Sequence, residues 1–366
     1  MKLPSIQLLA DAVTAPDTLA GLTYSDWDLL IRQARGADLL ARIVASYRGC
    51  GLRDQIPAQP KMHLESAAKL ALRQHREITW EVVQIEEALW PTGVDFVLLK
   101  GAAYVKSGLV AAQGRMMSDV DILVAREDLA EVEKALIMKG WMSAAQTAYD
   151  QRYYRTWMHE LPPMRHYKRG TVIDVHHAIL PTTARLHPSS FKLMSAAEPL
   201  RAGGRTKVLT PVDMVLHSAT HLFHEGELER GFRGLVDIDA LLREFGPQLG
   251  FWETLVPRGI ELELSRPLFY ALRYTAIMLG TPVPQQVVAD VSISPGGRRP
   301  GLFLAFMDAL FLRALRPFHP TSSDRYTPLA RWMLYVRGHW LRMPPWLLLI
   351  HLGRKAFVRD KKLVEN

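Results

Sequence analysis

The sequence predicts an α/β protein of the α+β kind: a small mixed sheet with helical regions on both sides. Three observations predict it. Hydrophobic periodicity near 3.6 residues dominates before residue 90 and after residue 211, whereas three short segments between them are apolar runs or alternate with the period of a strand. Of 366 residues, 48% are hydrophobic and 22% charged, the balance of a chain that buries a core rather than one that stays disordered. Proline and glycine clusters fall between the periodic pieces, where turns belong.

Residues up to about 60 read as short helices interrupted by Gly and Pro, with apolar residues at helical spacing from Asp26 to Val44. The Gln55–Pro60 stretch carries two prolines and reads as a linker. Ile78, Val82, Ile85 and Leu89 share one face of a long helix, which Pro91-Thr92-Gly93 stops. Phe96-Val97-Leu98-Leu99 is a continuous apolar run, as in a buried strand. Val120–Val124 is a second strand, with Val120, Ile122 and Val124 on one face and Asp121 and Leu123 on the other. Glu127 and Asp128 suit the amino end of a helix that runs through Leu129, Val132 and Leu136 and stops at Gly140. Thr171–His176 is a third strand. Helices follow at 213–224, 235–245, 267–279 and 302–315. Four regions result: a helical 1–60, a mixed 61–205 that holds the candidate chemistry, a helical 206–325, and a basic aromatic helical tail at 326–366.

The chemistry is carried by Lys100-Gly101-Ala102 and by Arg115-Met116-Met117-Ser118-Asp119-Val120-Asp121. Two aspartates separated by one residue at the start of a strand point the same way, so Asp119 and Asp121 converge while Val120 and Ile122 bury. Magnesium takes one or two such carboxylates alongside phosphate oxygens. A glycine after an apolar strand permits close backbone approach to a phosphate. Arg115 can contact phosphate oxygens with both arms or pair with one of the acids. Asp174 arrives on a later strand, apolar on both sides, so its carboxylate needs a compensating partner. By alternation His176 lies on the same side and supports the site from behind, while His177 faces away.

At these residues the chain resembles the DNA polymerase β-like nucleotidyltransferase superfamily, whose pattern is a strand, a Gly-Gly or Gly-Ser turn, a hydrophobic-flanked Asp-x-Asp, and a third Asp on a following strand. Within it, the chain is similar to a bacterial family reading Leu-Lys-Gly, Arg-x-Met-x-Asp-x-Asp and Asp-x-His, here Leu99-Lys100-Gly101, Arg115 to Asp121, and Asp174-Val175-His176. The resemblance covers roughly residues 60 to 260. It implies a nucleotidyltransferase-like fold, with Asp119 and Asp121 as ligands of Mg²⁺, one ion or two, and Asp174 as a further ligand or a base. A nucleoside triphosphate would be the substrate, held by Lys100, Gly101, Ala102, Arg115 and Ser118. The acceptor, whether small molecule, peptide or RNA, carries no motif. Ala102 departs from the superfamily's Gly or Ser, and the interval from Gly101 to Asp119 is longer than in compact members. An inactive nucleotide-binding or regulatory relative therefore stands as the alternative to an enzyme.

Charge and composition add bounds. Of the net charge of +8, six arise between Tyr326 and Asn366, where eight Lys/Arg face two acids. There Trp332, Tyr335, Trp340, Trp346 and Phe357 alternate with cations, as in helices completing a bundle or in a segment lying on an anionic membrane. Single-stranded nucleic acid is a third partner for such a mixture. A peripheral or assembly component acting through this tail is thus a second alternative. Trp346–Ile350, the longest apolar run near the end, is too short to span a bilayer. Cys50 is the single cysteine, so no intramolecular disulfide or Cys-based zinc site forms. No apolar leader follows Met1, and the expected location is cytoplasmic, with peripheral contact at the inner membrane surface through 326–366. His217, His221 and His224 share one helix face, which suits either a metal or, more simply, a polar helix face packed on the mixed region with Asp237 and Asp239 as partners.

Overall fold

A computed structural model describes residues 4–144, 147–224, 226, 228–294 and 301–344. Helices α1 (Pro4–Thr14), α2 (Tyr24–Gly36), α3 (Leu40–Gly49) and α4 (Ala58–Leu89) lead into strand β1 (Phe96–Leu98). Next come α5 (Lys100–Lys106), β2 (Asp119–Leu123), α6 (Leu129–Met138), β3 (Trp141–Ser143), α7 (Ala148–Trp157), β4 (Met164–His166) and β5 (Val172–His176). Helix α8 (Ser190–Ala196) precedes a hairpin of β6 (Glu198–Pro199) and β7 (Thr206–Val208). The remainder is helical: α9 (Pro211–His224), α10 (Gly231–Phe245), α11 (Phe251–Glu261), α12 (Ser265–Leu279), α13 (Gln285–Ile293), α14 (Gly301–Ala314) and α15 (Thr327–Arg342).

Local chemistry explains the boundaries. Thr23 caps α2: its hydroxyl accepts from Asp26 N at 3.2 Å while Asp26 Oδ2 accepts from Thr23 N at 3.0 Å. The stretch from Asp26 to Val44 is two helices rather than one, because Asp38 adopts φ +55 between them. Pro60 lies in the first turn of α4, where its missing N–H has no partner to lose, so the expected linker is shorter than two prolines suggested. Gly93 at φ +74 closes the turn after α4.

The seven strands form one mixed sheet in the order β3-β4-β5-β2-β1-β7-β6. β2 is central, antiparallel to β1 and parallel to β5. Its register sets Asp119 beside Val172, Asp121 beside Asp174, and Leu123 beside His176. Helices α4 and α5 pack against β2, and Val120, Ile122, Leu123 and Val124 are all buried. The two-sided burial explains why this strand reads as nearly continuous apolar sequence around its acids. One contiguous apolar cluster runs from Ile6 to Leu334 through all the helical regions. Helix α9 packs on α10, α11 and α12, and α15 packs on α14 and α9. That packing sets α15 and the start of α10 across a cleft from the aspartates of β2 and β5. No described helix is long and apolar enough to cross a membrane.

Candidate active site

The three aspartates meet. In a strand, residues two apart share a face, and the parallel register puts Asp174 directly across from Asp121 on that face. All three line a cleft of about 890 Å³. Asp119 is exposed at its edge, Asp121 is 9% exposed, and Asp174 lies between them in burial. Burial alone would raise the pKa of Asp121, but Lys100 and a hydrogen bond from His176 hold it well below the usual carboxylate range. Lys100 Nζ stands 3.8 Å from Asp121 Oδ1, and His176 Nε2 donates to the same oxygen at 3.1 Å. Asp174 shows the reverse: burial, then the charges of Asp121 and Glu160, push it up to about 7. Its Oδ1 is buried without a hydrogen-bond partner. A buried, unpartnered carboxylate oxygen next to a second carboxylate is costly by itself, and a divalent cation satisfies both at once. The residues therefore fit the ion that the sequence implies.

Lys100, at φ +44, begins α5, and Leu99 N bonds Asp121 O at 3.0 Å to carry the β1–β2 pairing up to it. The expected glycine turn is thus the first turn of a short helix. Gly101 lines the cleft, and a Cβ there would run into the Arg115 guanidinium and approach Met117 Sδ at 3.1 Å. Ala102 is buried and faces the core instead of the cleft. Ser118 lines the cleft and is exposed. Arg115 also reaches the cleft wall, but its Nε donates to Asp237 Oδ2 at 2.9 Å. Burial opposes the Arg115 charge and Asp237 restores it, for a net rise in pKa. Arg115 does pair with an acid, but with Asp237 of α10 and not with one of the strand aspartates beside it in the sequence.

His176 is buried, and its other nitrogen, Nδ1, lies 3.3 Å from Glu160 Oε2. Burial would lower its pKa, but the Asp121 hydrogen bond and the Glu160 charge raise it. Glu160 is delivered by a short bridge to the end of β5: it pairs with His176, Leu161 N bonds Val175 O at 2.8 Å, and His177 N bonds His159 O at 2.8 Å. His177 is buried outside the cleft, as alternation requires. On α9, His221 lines the cleft, while buried His217 has its pKa held well below 6.5, first by burial and then by Lys100. Asp237 and Asp239 pair with Arg115 and Arg243 rather than with these histidines.

The cleft's opposite wall escaped sequence reasoning. Arg230 and Arg233 come from the start of α10, Phe318 from the loop after α14, and Arg331, Trp332, Tyr335 and Arg342 from α15. Arg233 Nη1 donates to Met116 O at 3.3 Å, and Arg331 Nη2 donates to Arg316 O at 3.0 Å. Arg331 also lies over the Phe318 ring, 3.5 Å from its centroid. Part of the basic aromatic tail is therefore cleft wall; Trp346 and Phe357 lie outside the described residues. The signal for His159 and Glu160 was a His-Glu pair just before a buried leucine, without periodicity to assign it a strand. Arg230 and Arg233 gave no local signal, since only helix packing aims them at the sheet.

Comparison with curated proteins finds no match to the chain. A family model does match residues 23–280, well over half the length, and it spans the aspartate strand, β5, and the helices from α2 through α12. With its mixed sheet and paired aspartates, the chain belongs to the family described as uncharacterised nucleotidyltransferase.

Proposed function

We propose that this cleft moves a nucleoside monophosphate from a nucleoside triphosphate to a hydroxyl acceptor. The observation that supports it is the registered pair Asp121 and Asp174, with Asp119 beside them, on the floor of a cleft whose far wall is cationic and aromatic. Asp119, Asp121 and Asp174 would hold Mg²⁺, one ion or two, which when bound neutralises charge between the phosphates and the acceptor. Lys100 offers its ammonium to a phosphate oxygen from its place beside Asp121. Arg230, Arg233, Arg331 and Arg342 bring positive charge to the space in front of the acids, where a triphosphate extends. Trp332 and Tyr335 border the same cleft and supply aromatic rings against which a base would stack. Asp174 serves as a further ligand of the ion or, with an oxygen left free of it, as the base that takes the acceptor hydroxyl's proton. Arg115 braces the floor by tying it to α10.

Calorimetric titration of ATP, GTP, CTP and UTP with and without Mg²⁺ tests the binding step. Asp119→Asn and Asp121→Asn should each abolish the Mg²⁺-dependent part, and unchanged binding in both would sink the proposal. Pyrophosphate release with hydroxyl-bearing small molecules, peptides and RNA then separates an enzyme from a nucleotide-binding relative of the same fold.

A further inference from the structure

We propose that His159, Glu160 and His176 form a second cation site, distinct from the aspartates, that takes a transition metal of the zinc type. Among the described residues these three bring one ligand atom each to within 4.8 Å of one another. Two imidazoles and a carboxylate are a zinc-type donor set, whereas magnesium prefers oxygen alone. One of the three spacings already suits it. Ligand atoms on a tetrahedral ion with bonds of about 2.0 Å lie about 3.3 Å apart. His176 Nδ1 and Glu160 Oε2 already stand 3.3 Å from each other.

The surroundings of the ligands follow the same logic. A metal-bound imidazole commonly donates its second N–H to a carboxylate, which fixes the ring and its tautomer. His176 Nε2 does so to Asp121 Oδ1 at 3.1 Å, which turns Nδ1 toward Glu160. The His159 ring sits beside it, with centroids 5.2 Å apart. Backbone bonds from Leu161 N to Val175 O and from His177 N to His159 O hold all three ligands at the carboxyl end of β5. All three residues line the cleft, so the fourth coordination position opens toward whatever the cleft holds. Nδ1 of the neutral ring binds the ion through its lone pair, and the proton that Nδ1 carries in the imidazolium form passes to solvent on loading. Asp121 then links this centre to the aspartates, and the site stands whether or not the cleft transfers nucleotides.

The test uses the full chain stripped with a chelator and titrated with Co²⁺, then back-exchanged with Zn²⁺ and assayed for metal content. The expected result is one tightly held ion that gives the strong visible absorption of four- or five-coordinate cobalt bound by nitrogen and oxygen, apart from any weakly absorbing six-coordinate cobalt on the aspartates. His159→Ala and Glu160→Gln should each weaken binding more than tenfold, and Asp119→Asn should leave the spectrum unchanged. Glu160→Gln is isosteric and carries the test if His159→Ala loses its fold. Three results would overturn the proposal: no bound ion, binding by both variants as tight as the parent's, or only the weak spectrum of six-coordinate cobalt, lost in Asp119→Asn. Because cobalt is read without nucleotide, failure here is separable from failure of Mg²⁺-dependent nucleotide binding.

Discussion

Replacing Asp174 by Asn should stabilise the protein while disabling it. The ionised Asp174 carboxylate is crowded by burial and by the charges of Asp121 and Glu160, and its pKa stands at about 7 against 3.8 for an ordinary aspartate. Each tenfold in proton affinity costs about 1.4 kcal/mol, so the ionised form carries a penalty of at most roughly 4 kcal/mol. The sign follows from linkage. A folded-state pKa above the unfolded value contributes stability in full below pH 3.8 and loses it as pH rises through 7. At pH 8 with a chelator present, Asp174→Asn should therefore be about 2–4 kcal/mol more stable than the parent, and near pH 4 the two should converge. Adding Mg²⁺ should reverse the order, because only the carboxylate gains from the ion. Urea denaturation at pH 4, 6 and 8, with chelator and with Mg²⁺, reads all of this. A variant no more stable than the parent at pH 8 without metal would refute the electrostatic account of the site.

Three further outcomes follow from other parts of the molecule. Asp213 is fully buried and held by Arg258 through bonds of 2.8 and 2.9 Å, so Arg258→Ala, which strands that carboxylate, should cost about 3–5 kcal/mol by urea denaturation. His217 has a folded pKa well below 6.5, so its contribution is present above pH 6.5 and is lost on acidification, by up to about 1.4 kcal/mol per pH unit; His217→Gln should flatten that slope in thermal melts between pH 5 and 7. Trp332→Ala should weaken nucleotide binding by about 1–3 kcal/mol if the base stacks on the α15 wall, a loss read by the same calorimetry; unchanged affinity would move the base elsewhere in the cleft.

Much of the fold was legible because burial leaves a periodic trace. The long helix up to Leu89, the strands at 96–98, 119–123 and 172–176, and helices α9, α10, α12 and α14 appear close to where hydrophobic spacing placed them, whereas α11 and α13 were not singled out. The short strands β3, β4, β6 and β7 left no such trace: two or three residues are fewer than one period can mark. Asp121 and Asp174 could be picked out because a carboxylate within a buried strand contradicts its surroundings, and exposed Asp119 because it stands two residues before Asp121 on the same strand. Arg115 was visible but its partner was not, since Asp237 is 122 residues away on another helix.

What the amino-acid order determined alone is which residues sit on a buried sheet, and which acids among them demand a counter-charge. What the tertiary structure decided is the register of β5 on β2, which makes two distant acids neighbours. It also decided the bridge that brings Glu160 to His176, and the packing of α10 and α15 that turns scattered arginines and aromatics into the cleft's second wall. The physical reason is range. Hydrophobic period and turn chemistry act over a few residues, whereas strand register and helix docking are settled by the whole core at once.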